Sequence, residues 1–287
     1  MTGAGGRHAL GDARRLSPGA TRTGGVAAMV AVQVRSEVTR YRRMPEYFVG
    51  VVILPVILFA MFGLPNSGSV LPGGTSVVAM IFVSFACYGV VSQALFSFGA
   101  ELAAERQKGW LRRLRATPMP MWVYFAGKLA MNLVFTVTIA GAMALLAQLG
   151  GDASFDPGRL LGTGAVLLLG TVVFSPMGAA IAYLARPKAV ATIVNLVFLP
   201  LSFASGFFFP LRQLPQVLQD LAPWLPTYHF GQLARDTMAP AADVEAFGGG
   251  SATGSTALHL AVVLGWAVVC VAATVWGYRR EAARERS

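Results

Sequence analysis

The residues best suited to chemistry lie between Glu101 and Pro118, in the segment ELAAERQKGWLRRLRATP. Five of them are basic: Arg106, Lys108, Arg112, Arg113 and Arg115. Because a single Lys or Arg at the centre of a bilayer costs about 2.5–3.5 kcal/mol, five of them keep this segment in water. The runs on either side are apolar and long enough to span a membrane. The chemistry that this pattern offers is ion pairing at a membrane surface, which suits an element that contacts another protein.

The spacing within the same segment predicts a short amphipathic helix. One side gathers uncharged residues at helical intervals: Ala103, Gln107, Trp110, Leu111 and Leu114. Gly109 predicts a break between two helical pieces, and Pro118 predicts the end of the second, because proline disfavours α geometry at the residue before it. Charge alone also fits an ordinary cytoplasmic loop, since Lys and Arg are retained on that side of a membrane.

The sequence contains no pattern typical of a catalytic site. Its histidines are scattered along the chain: His8, His229 and His259. Neither a carboxylate–His–nucleophile arrangement nor metal-ligand spacing accompanies them. The Walker pattern for ATP is also missing, because Gly127-Lys128 has Trp122 at the position of the first glycine. If ATP drives this protein, we expect the ATPase to be a separate chain.

Composition indicates a membrane protein. Hydrophobic residues make up 55% of the chain and charged residues 13%, with a mean hydropathy of +0.60, which is too apolar for a soluble domain. The formal net charge of +10 does not indicate nucleic-acid binding, because the basic residues lie between apolar runs rather than on one soluble face. Cys87 and Cys270 fall within apolar runs and are predicted to be small core residues.

Apolar periodicity predicts an all-α membrane protein with six spans. We expect a disordered cytoplasmic tail at residues 1–25 and a transmembrane domain over residues 26–287, which begins with an interfacial elbow helix at residues 26–44. The spans are predicted at about residues 47–64, 77–99, 122–149, 160–185, 189–209 and 257–278. Between the last two, prolines interrupt an apolar stretch, which predicts short helices that dip into the outer leaflet and pack against protein.

Charge asymmetry predicts the orientation of the spans. With both termini on one side, 20 of the 23 Lys and Arg residues fall on that side, so both ends are expected in the cytoplasm. The spans contain no Asp, Glu or Arg; Lys128 lies at an inner edge and His259 at an outer one. Because a transporter coupled to an ion gradient needs buried titratable groups, we expect this bundle to draw its energy from elsewhere.

The order of residues in the basic segment resembles the intracellular loop of ABC-2-type permeases. The matching residues are Glu101, Glu105-Arg106, Gly109, Leu111 and Leu114–Pro118, followed by Gly127-Lys128. In that family the loop between spans 2 and 3 is a coupling helix that sits in a groove of the ATPase subunit. This sequence departs from the family pattern at Gln107, Trp110 and Arg112.

The resemblance implies roles for particular residues. The expected ATPase-coupling contacts are Glu101, Glu105, Arg106, Gly109, Trp110, Leu111, Arg113, Leu114 and Arg115. Phe203–Pro210 and the proline-rich stretch after it resemble the re-entrant helical hairpin that precedes the last span in this family. In size and loop length the chain resembles daunorubicin-resistance-like drug and lipid exporters.

The fifth span and the segment after it contain the candidates for a substrate path. Asn195 is the best polar candidate because its span flanks the outer hairpin. An aromatic group predicts an apolar gate: Phe203, Phe207, Phe208 and Trp224. The alternatives are helix–helix hydrogen bonding for Asn195, and lipid or interface packing for the aromatic residues.

Together with the missing ATP site, the resemblance implies the membrane permease subunit of an ATP-driven ABC exporter, with no enzymatic activity or cofactor of its own. Its expected partners are a separate ABC ATPase, a second permease copy or a homologous permease, and membrane lipid, but no nucleic acid. We expect a bacterial-type cell membrane, and an apolar bundle favours a lipophilic drug, antibiotic or lipid-like cargo. The alternatives are a non-transporting membrane assembly or anchor protein and an intramembrane enzyme.

Overall fold

The computed structural model of the chain describes residues 22–43, 49–117, 119–151, 153–248 and 254–284. Its α-helices are, in chain order, α1 Arg22–Arg42, α2 Leu54–Gly63, α3 Val77–Leu95, α4 Leu102–Gln107, α5 Trp110–Arg115, α6 Met121–Gly150, α7 Pro157–Leu184, α8 Pro187–Ala204, α9 Gln216–Leu221, α10 Pro226–Met238, α11 Ala241–Ala246 and α12 Thr256–Arg284. A π-helical turn, Val49–Ile53, precedes α2, and a second one, Phe96–Glu101, joins α3 to α4. No β-strand occurs in these ranges, so the predicted all-α class is confirmed.

Five helical segments in the described ranges are long and apolar enough to cross a membrane. They are Val77–Gln107, Met121–Gly150, Pro157–Leu184, Pro187–Ala204 and Thr256–Ala283. The predicted first span corresponds to a shorter apolar stretch, Gly50–Asn66, and residues 47 and 48 lie outside the described ranges. The fifth span was predicted to reach Phe209, but α8 ends at Ala204 because Gly206 turns the chain with a φ of 71°.

Helix α3 forms the centre of the bundle. It is apolar on every side, and a helix of that kind needs neighbours all round. Of its most apolar window, 89% is buried inside the protein, against 17% for α12. It packs against α2, α6, α7 and α10, whereas α12 lies at the periphery with most of its side chains outward.

A close crossing fixes α7 against the π-helical turn that follows α3. A Cβ added at Gly178 would lie 2.5 Å from the carbonyl oxygen of Ala94 and 3.0 Å from the amide nitrogen of Gly99. Only a residue without a side chain allows two backbones to meet at that distance, which is how small residues serve helix packing in membranes. The crossing brings the end of α7 beside α4.

Helix α1 begins at Arg22, inside the predicted tail, and residues 1–21 of that tail lie outside the described ranges. It packs along α6, where the Gln33 side chain occupies the space that a Cβ on Gly127 would need. Among the charged residues of this helix, Arg35 is exposed, whereas Glu37 is buried and Arg40 points into the protein. The latter two charges face inward because they meet opposite charges on other helices, as described below.

The segment after α8 folds as short helices against the bundle. Helix α10 packs against α3, α7 and α12, and all its residues from Pro226 to Arg235 are buried. On α11, the Asp243 carboxylate accepts hydrogen bonds from the backbone N–H of Gly73, at 2.5 Å, and of Thr75, at 3.0 Å. The predicted packing of short helices against protein is therefore present, and α11 also anchors the loop that precedes α3.

Candidate functional site

The basic segment contains the break predicted at Gly109. Helix α4 continues from α3 through the π-helical turn and ends at Gln107, and α5 begins at Trp110. Between them Gly109 has a φ of 69°, a left-handed conformation that costs residues with a side chain about 1–2 kcal/mol. No atom lies within 4 Å of a Cβ added there, so the backbone conformation, rather than space, is what requires glycine.

Two carboxylates at the start of this segment are neutralised inside the protein. Lys128 has no exposed side-chain surface, and its Nζ lies 3.2 Å from Glu101 Oε2 and 3.1 Å from Glu105 Oε1. The Arg40 guanidinium donates to both carboxylates as well. We call Arg40, Glu101, Glu105 and Lys128 the ion cluster. It joins α1, the π-helical turn before α4, α4 and α6.

Hydroxyl groups complete the ion cluster. The Tyr41 hydroxyl donates to Glu101 Oε2 at 2.8 Å, and the Tyr124 hydroxyl donates to Glu105. A third carboxylate, Glu37, lies 3.4 Å from Arg40 and accepts from the Gln33 amide at 3.1 Å. Buried ion pairs persist only when such additional hydrogen bonds offset the loss of water. The cluster therefore holds α1, α4 and α6 in one arrangement.

Arg106 of α4 contacts two further helices of the chain. Its guanidinium lies 3.0 Å from Glu281 Oε2, donates to the backbone carbonyl of Ala182, and sits 4.7 Å above the Tyr183 ring. These contacts tie α4 to α7 and α12. Because a bidentate arginine fixes both distance and orientation, α4 is held between two sets of charges.

The predicted coupling contacts therefore divide into two groups. Glu101, Glu105, Arg106 and Leu111 turn inward and contact the chain's own helices, while Leu114 and Arg115 are half-buried. Trp110 is 45% exposed and Arg113 lies over its ring, 5.6 Å from the centroid, with Arg112 exposed beside them. The exposed surface of α5 thus presents an aromatic ring beneath the Arg113 guanidinium.

Two cavities lie beside α3, one toward each end of the bundle. The first, of about 520 Å³, is lined by Tyr88, Ser92 and Asn195 with apolar residues of α2 and α8. Asn195 also donates to its own helix, from Nδ2 to the carbonyl oxygen of Ala191, at 2.9 Å. The second cavity, of about 340 Å³, lies nearer the start of α3 and includes Ser84 and Phe207 in its lining.

A layer of aromatic rings separates these two cavities. Phe208 stacks on Phe203 with the ring centroids 4.6 Å apart, and meets Tyr88 at 5.1 Å and Phe85 at 5.8 Å. We call Phe85, Tyr88, Phe203 and Phe208 the aromatic layer. Phe207 is buried but forms no ring contact with it among the described residues, and Trp224 is 75% exposed and stands apart.

Comparison with known proteins decides the family. The ABC-2 type transporter family matches residues 30–239 of this chain, which is most of its length. The chain belongs to the ABC-2 type transporter family. The putative transport permease YvfS of Bacillus subtilis is 24% identical over 196 residues, covering 68% of this chain and 80% of that protein. The inner membrane transport permease YhhJ of Escherichia coli is 29% identical over 229 residues, covering 78% of this chain and 56% of that protein.

Membership in the ABC-2 type transporter family makes this chain a multi-pass membrane permease of an ABC transporter, a transport subunit rather than an enzyme. The family also implies pairing with an ABC ATPase subunit. The matched range includes the whole basic segment, the ion cluster and the aromatic layer. The site described above is therefore part of the region that defines the family.

Two polar contacts in this ABC-2 permease were missed by the sequence analysis. His229 and His259, described there as scattered, are neighbours with their Nδ1 atoms 2.6 Å apart. His229 Nε2 lies 2.8 Å from the carbonyl oxygen of Pro223, so this nitrogen donates, and the Nδ1 atom of His229 accepts from His259. Arg235 is buried and donates to the carbonyl oxygen of Gly206 at 2.8 Å, which holds the turn after α8.

Proposed function

We propose that this chain is the membrane-spanning permease subunit of an ATP-driven ABC exporter, which moves a lipophilic compound out of the cytoplasm or the inner leaflet. In this proposal the apolar stretch Gly50–Asn66 is the first of six spans, residues 1–25 are a cytoplasmic tail, and residues 26–287 form the transmembrane domain. Both termini lie in the cytoplasm of a bacterial-type cell. The ATPase is a separate subunit, and a second copy or a homologous permease completes the transporter.

The observation that carries this proposal is the continuity between α5 and the aromatic layer. Helix α3 supplies Phe85 and Tyr88 to the layer, and it continues without a gap through the π-helical turn and α4 to Gln107. This helical segment is about 45 Å long at 1.5 Å per residue. One glycine turn later, α5 presents Trp110 and Arg113 at the surface. A displacement of α5 by an ATPase is thereby passed along one helix to the layer between the two cavities.

The contact face on α5 fits an acidic groove that contains an apolar pocket. Arg112 and Arg113 supply positive charge, and the exposed Trp110 ring supplies apolar area. Tryptophan and arginine are the residues that most often dominate the free energy of protein interfaces. Glu101, Glu105 and Arg106 serve the proposal differently: they fasten α4 to the rest of the permease, so that motion of α5 moves the bundle.

The two cavities and the aromatic layer form the proposed cargo path. A cavity lined mainly by apolar side chains, with a few polar groups that fix orientation, is typical of sites for small lipophilic ligands. Tyr88, Ser92 and Asn195 are such polar groups in the first cavity. Phe203 and Phe208 close the way to the second cavity, in which Phe207 lies, whereas the exposed Trp224 takes no part.

The test is co-purification of the chain with its cognate ABC ATPase, followed by measurement of ATPase rate and cargo transport in proteoliposomes. Arg113→Glu and Trp110→Ala are expected to weaken association and reduce the rate about tenfold or more, the loss typical of a truncated hot spot. Gly109→Pro is expected to uncouple the two subunits, because proline cannot adopt a positive φ. Arg212→Glu, an exposed change in the segment after α8, is the control and should leave both values unchanged.

A complex that persists unchanged with all three substitutions in α5 would contradict the proposed contact. A chain that binds the ATPase but moves none of a panel of lipophilic compounds, and whose cargo-stimulated ATPase rate stays flat, would support the non-transporting anchor instead.

A further inference from the structure

A groove of about 470 Å³ lies between α6, α7 and α12, away from the proposed cargo path. Its walls are almost entirely apolar and include Trp122, Ala126, Ala179 and Val275. No residue lines both this groove and either of the two cavities beside α3. The groove opens outward between helices that face lipid, so its occupant comes from the membrane.

The groove lies at the end of the bundle that carries the basic segment. Its length along α7 is about the thickness of one leaflet of the hydrocarbon core. Trp122 near the start of α6, Tyr183 near the end of α7 and Tyr278 toward the end of α12 all line it. Along α7 the lining runs from Val172 to Tyr183, about 16 Å at 1.5 Å per residue. Half of a hydrocarbon core about 30 Å thick has the same length, which matches the reach of one acyl chain.

Two tyrosines, each beneath an arginine, close the basic end of the groove. The Arg115 guanidinium lies 5.1 Å from the centroid of the Tyr278 ring, and Arg106 lies over Tyr183. Among the described residues, Glu281 is the acidic group that faces Tyr183, and its Oε2 lies 3.0 Å from the Arg106 guanidinium. The exposed Arg279 and Arg280 follow Tyr278 on α12, so the described residues around the mouth of the groove carry more positive than negative charge.

The Tyr183 hydroxyl is a buried polar atom at this end of the groove. Tyr183 is 7% exposed, and no hydrogen-bond partner for its hydroxyl exists among the described residues. Buried hydroxyl groups without a partner are rare because leaving them unpaired is costly. Its charged surroundings are Arg106, Arg115 and Glu281, so an acceptor that carries negative charge fits this position.

We propose that the groove binds an anionic phospholipid of the inner leaflet. One acyl chain lies along Ala126, Ala179 and Val275, and the phosphodiester accepts a hydrogen bond from the Tyr183 hydroxyl beside the Arg115 guanidinium. An uncharged lipophilic compound would leave the hydroxyl without an acceptor, and free phosphate would leave the apolar walls uncovered. A zwitterionic lipid would bring a cation toward a mouth that is already basic, which is unfavourable.

Native mass spectrometry of the purified full-length chain in detergent tests this proposal. The chain is incubated with equimolar phosphatidylglycerol and phosphatidylcholine, and the bound lipids are counted. We expect preferential binding of phosphatidylglycerol, reduced about fivefold by Arg115→Gln, the effect of one basic residue near a headgroup. Tyr183→Phe, which removes only the hydroxyl, is expected to reduce the preference while chain occupancy is retained. Ala126→Trp fills the groove and is expected to lower binding of both lipids.

Arg35→Gln is the matched control, because it removes the same charge from an exposed arginine of α1, a helix that contributes no residue to the lining of the groove. It should leave the preference unchanged, and an equal loss in Arg35→Gln and Arg115→Gln would show general surface attraction and overturn the proposal. Equal binding of the two lipids by the unmodified chain would overturn it as well. Should Ala126→Trp fail to fold, Val275→Trp fills the same groove from a position that is 41% exposed. The measurement needs no ATPase, so its failure and that of the coupling proposal are distinguishable.

Discussion

The Nζ atom of Lys128 lies 3.1 Å from Glu105 Oε1, and this pair joins α6 to the start of the basic segment. Lys128 belongs to a helix that is otherwise apolar, and its side chain has no exposed surface. A lysine in that position is tolerated only beside carboxylates, which Glu101 and Glu105 provide. The pair thus explains both why the lysine is accepted and why the basic segment is held against the bundle.

Lys128→Met is expected to destabilise the protein by about 3 kcal/mol. Breaking a buried pair by removing one partner costs about 3–5 kcal/mol, because an uncompensated charge remains, and Arg40 still balances part of the charge on Glu101 and Glu105. The free energy of unfolding in mixed micelles measures the change. Lys108→Met, on an exposed lysine of the same segment, is the control and should stay within about 0.5 kcal/mol.

The double variant Lys128→Met with Glu105→Gln separates charge from packing. We expect its loss to be smaller than the sum of the two single losses, because the second substitution removes a carboxylate that the first one left unpaired. Additive losses would show that Lys128 and Glu105 stabilise the protein independently.

The outcome for the basic segment shows which features depend on local sequence. The break at Gly109 and the start of α5 were predicted because backbone preferences of glycine act over a few residues. The inward orientation of Glu101 and Glu105 was not predicted, because it depends on Arg40, which lies 61 residues before Glu101 in the chain. One signal was available: Lys128 in an apolar helix requires a counter-ion, and two carboxylates four residues apart lie on one face of the preceding helix.

The segment after α8 shows the same division. Its short helices follow from prolines in an apolar stretch, and they were predicted. The contact between His229 and His259 joins residues 30 positions apart, and no periodicity indicates it, because it depends on how α10 packs against α12. The end of α8 at Ala204 was missed as well, since Phe207 and Phe208 continue the apolar pattern after the turn at Gly206.

Gly109→Ala tests the turn between α4 and α5 without a steric clash. The substitution places a side chain on a backbone with a φ of 69° but in open space, so we expect a loss of about 1–2 kcal/mol from conformation alone. Hydrogen exchange of α5 amides measures it, with protection expected to fall by about tenfold. Gly141→Ala, in α6 and also in open space, should be neutral or slightly stabilising, because alanine is the better residue in a helix. Similar effects at the two positions would contradict a conformational role for Gly109.

Gly178→Ala tests the crossing of α7 with the turn after α3. Its Cβ would lie 2.5 Å from the carbonyl oxygen of Ala94, and because that atom belongs to the backbone the helices must move apart. We expect a loss of about 1–3 kcal/mol, the usual cost of overpacking, measured as a lower midpoint of thermal unfolding. Gly164→Ala on the same helix meets no atom within 4 Å and should not lower the midpoint. An unchanged midpoint for Gly178→Ala would mean that the two helices do not meet at this distance.

Acid should loosen the loop that precedes α3, through Asp243. Burial works against the charged carboxylate, but hydrogen bonds from the Thr75 hydroxyl and from the backbone N–H groups of Gly73 and Thr75 outweigh it, so the pKa of Asp243 lies below its ordinary value. Because the pKa of Asp243 is lowered in the folded state, its ionised carboxylate contributes fully to stability above about pH 4, the ordinary pKa of an aspartate. This contribution is lost as the pH falls through the lower pKa of the folded state. We expect hydrogen exchange of residues 67–76, corrected for intrinsic rates, to accelerate over that range.

Asp243→Asn should show the faster exchange already at pH 7, with little further change in acid. Asp220→Asn, on an exposed carboxylate of α9, is the control, and an acid response that survives Asp243→Asn would assign the effect to another group.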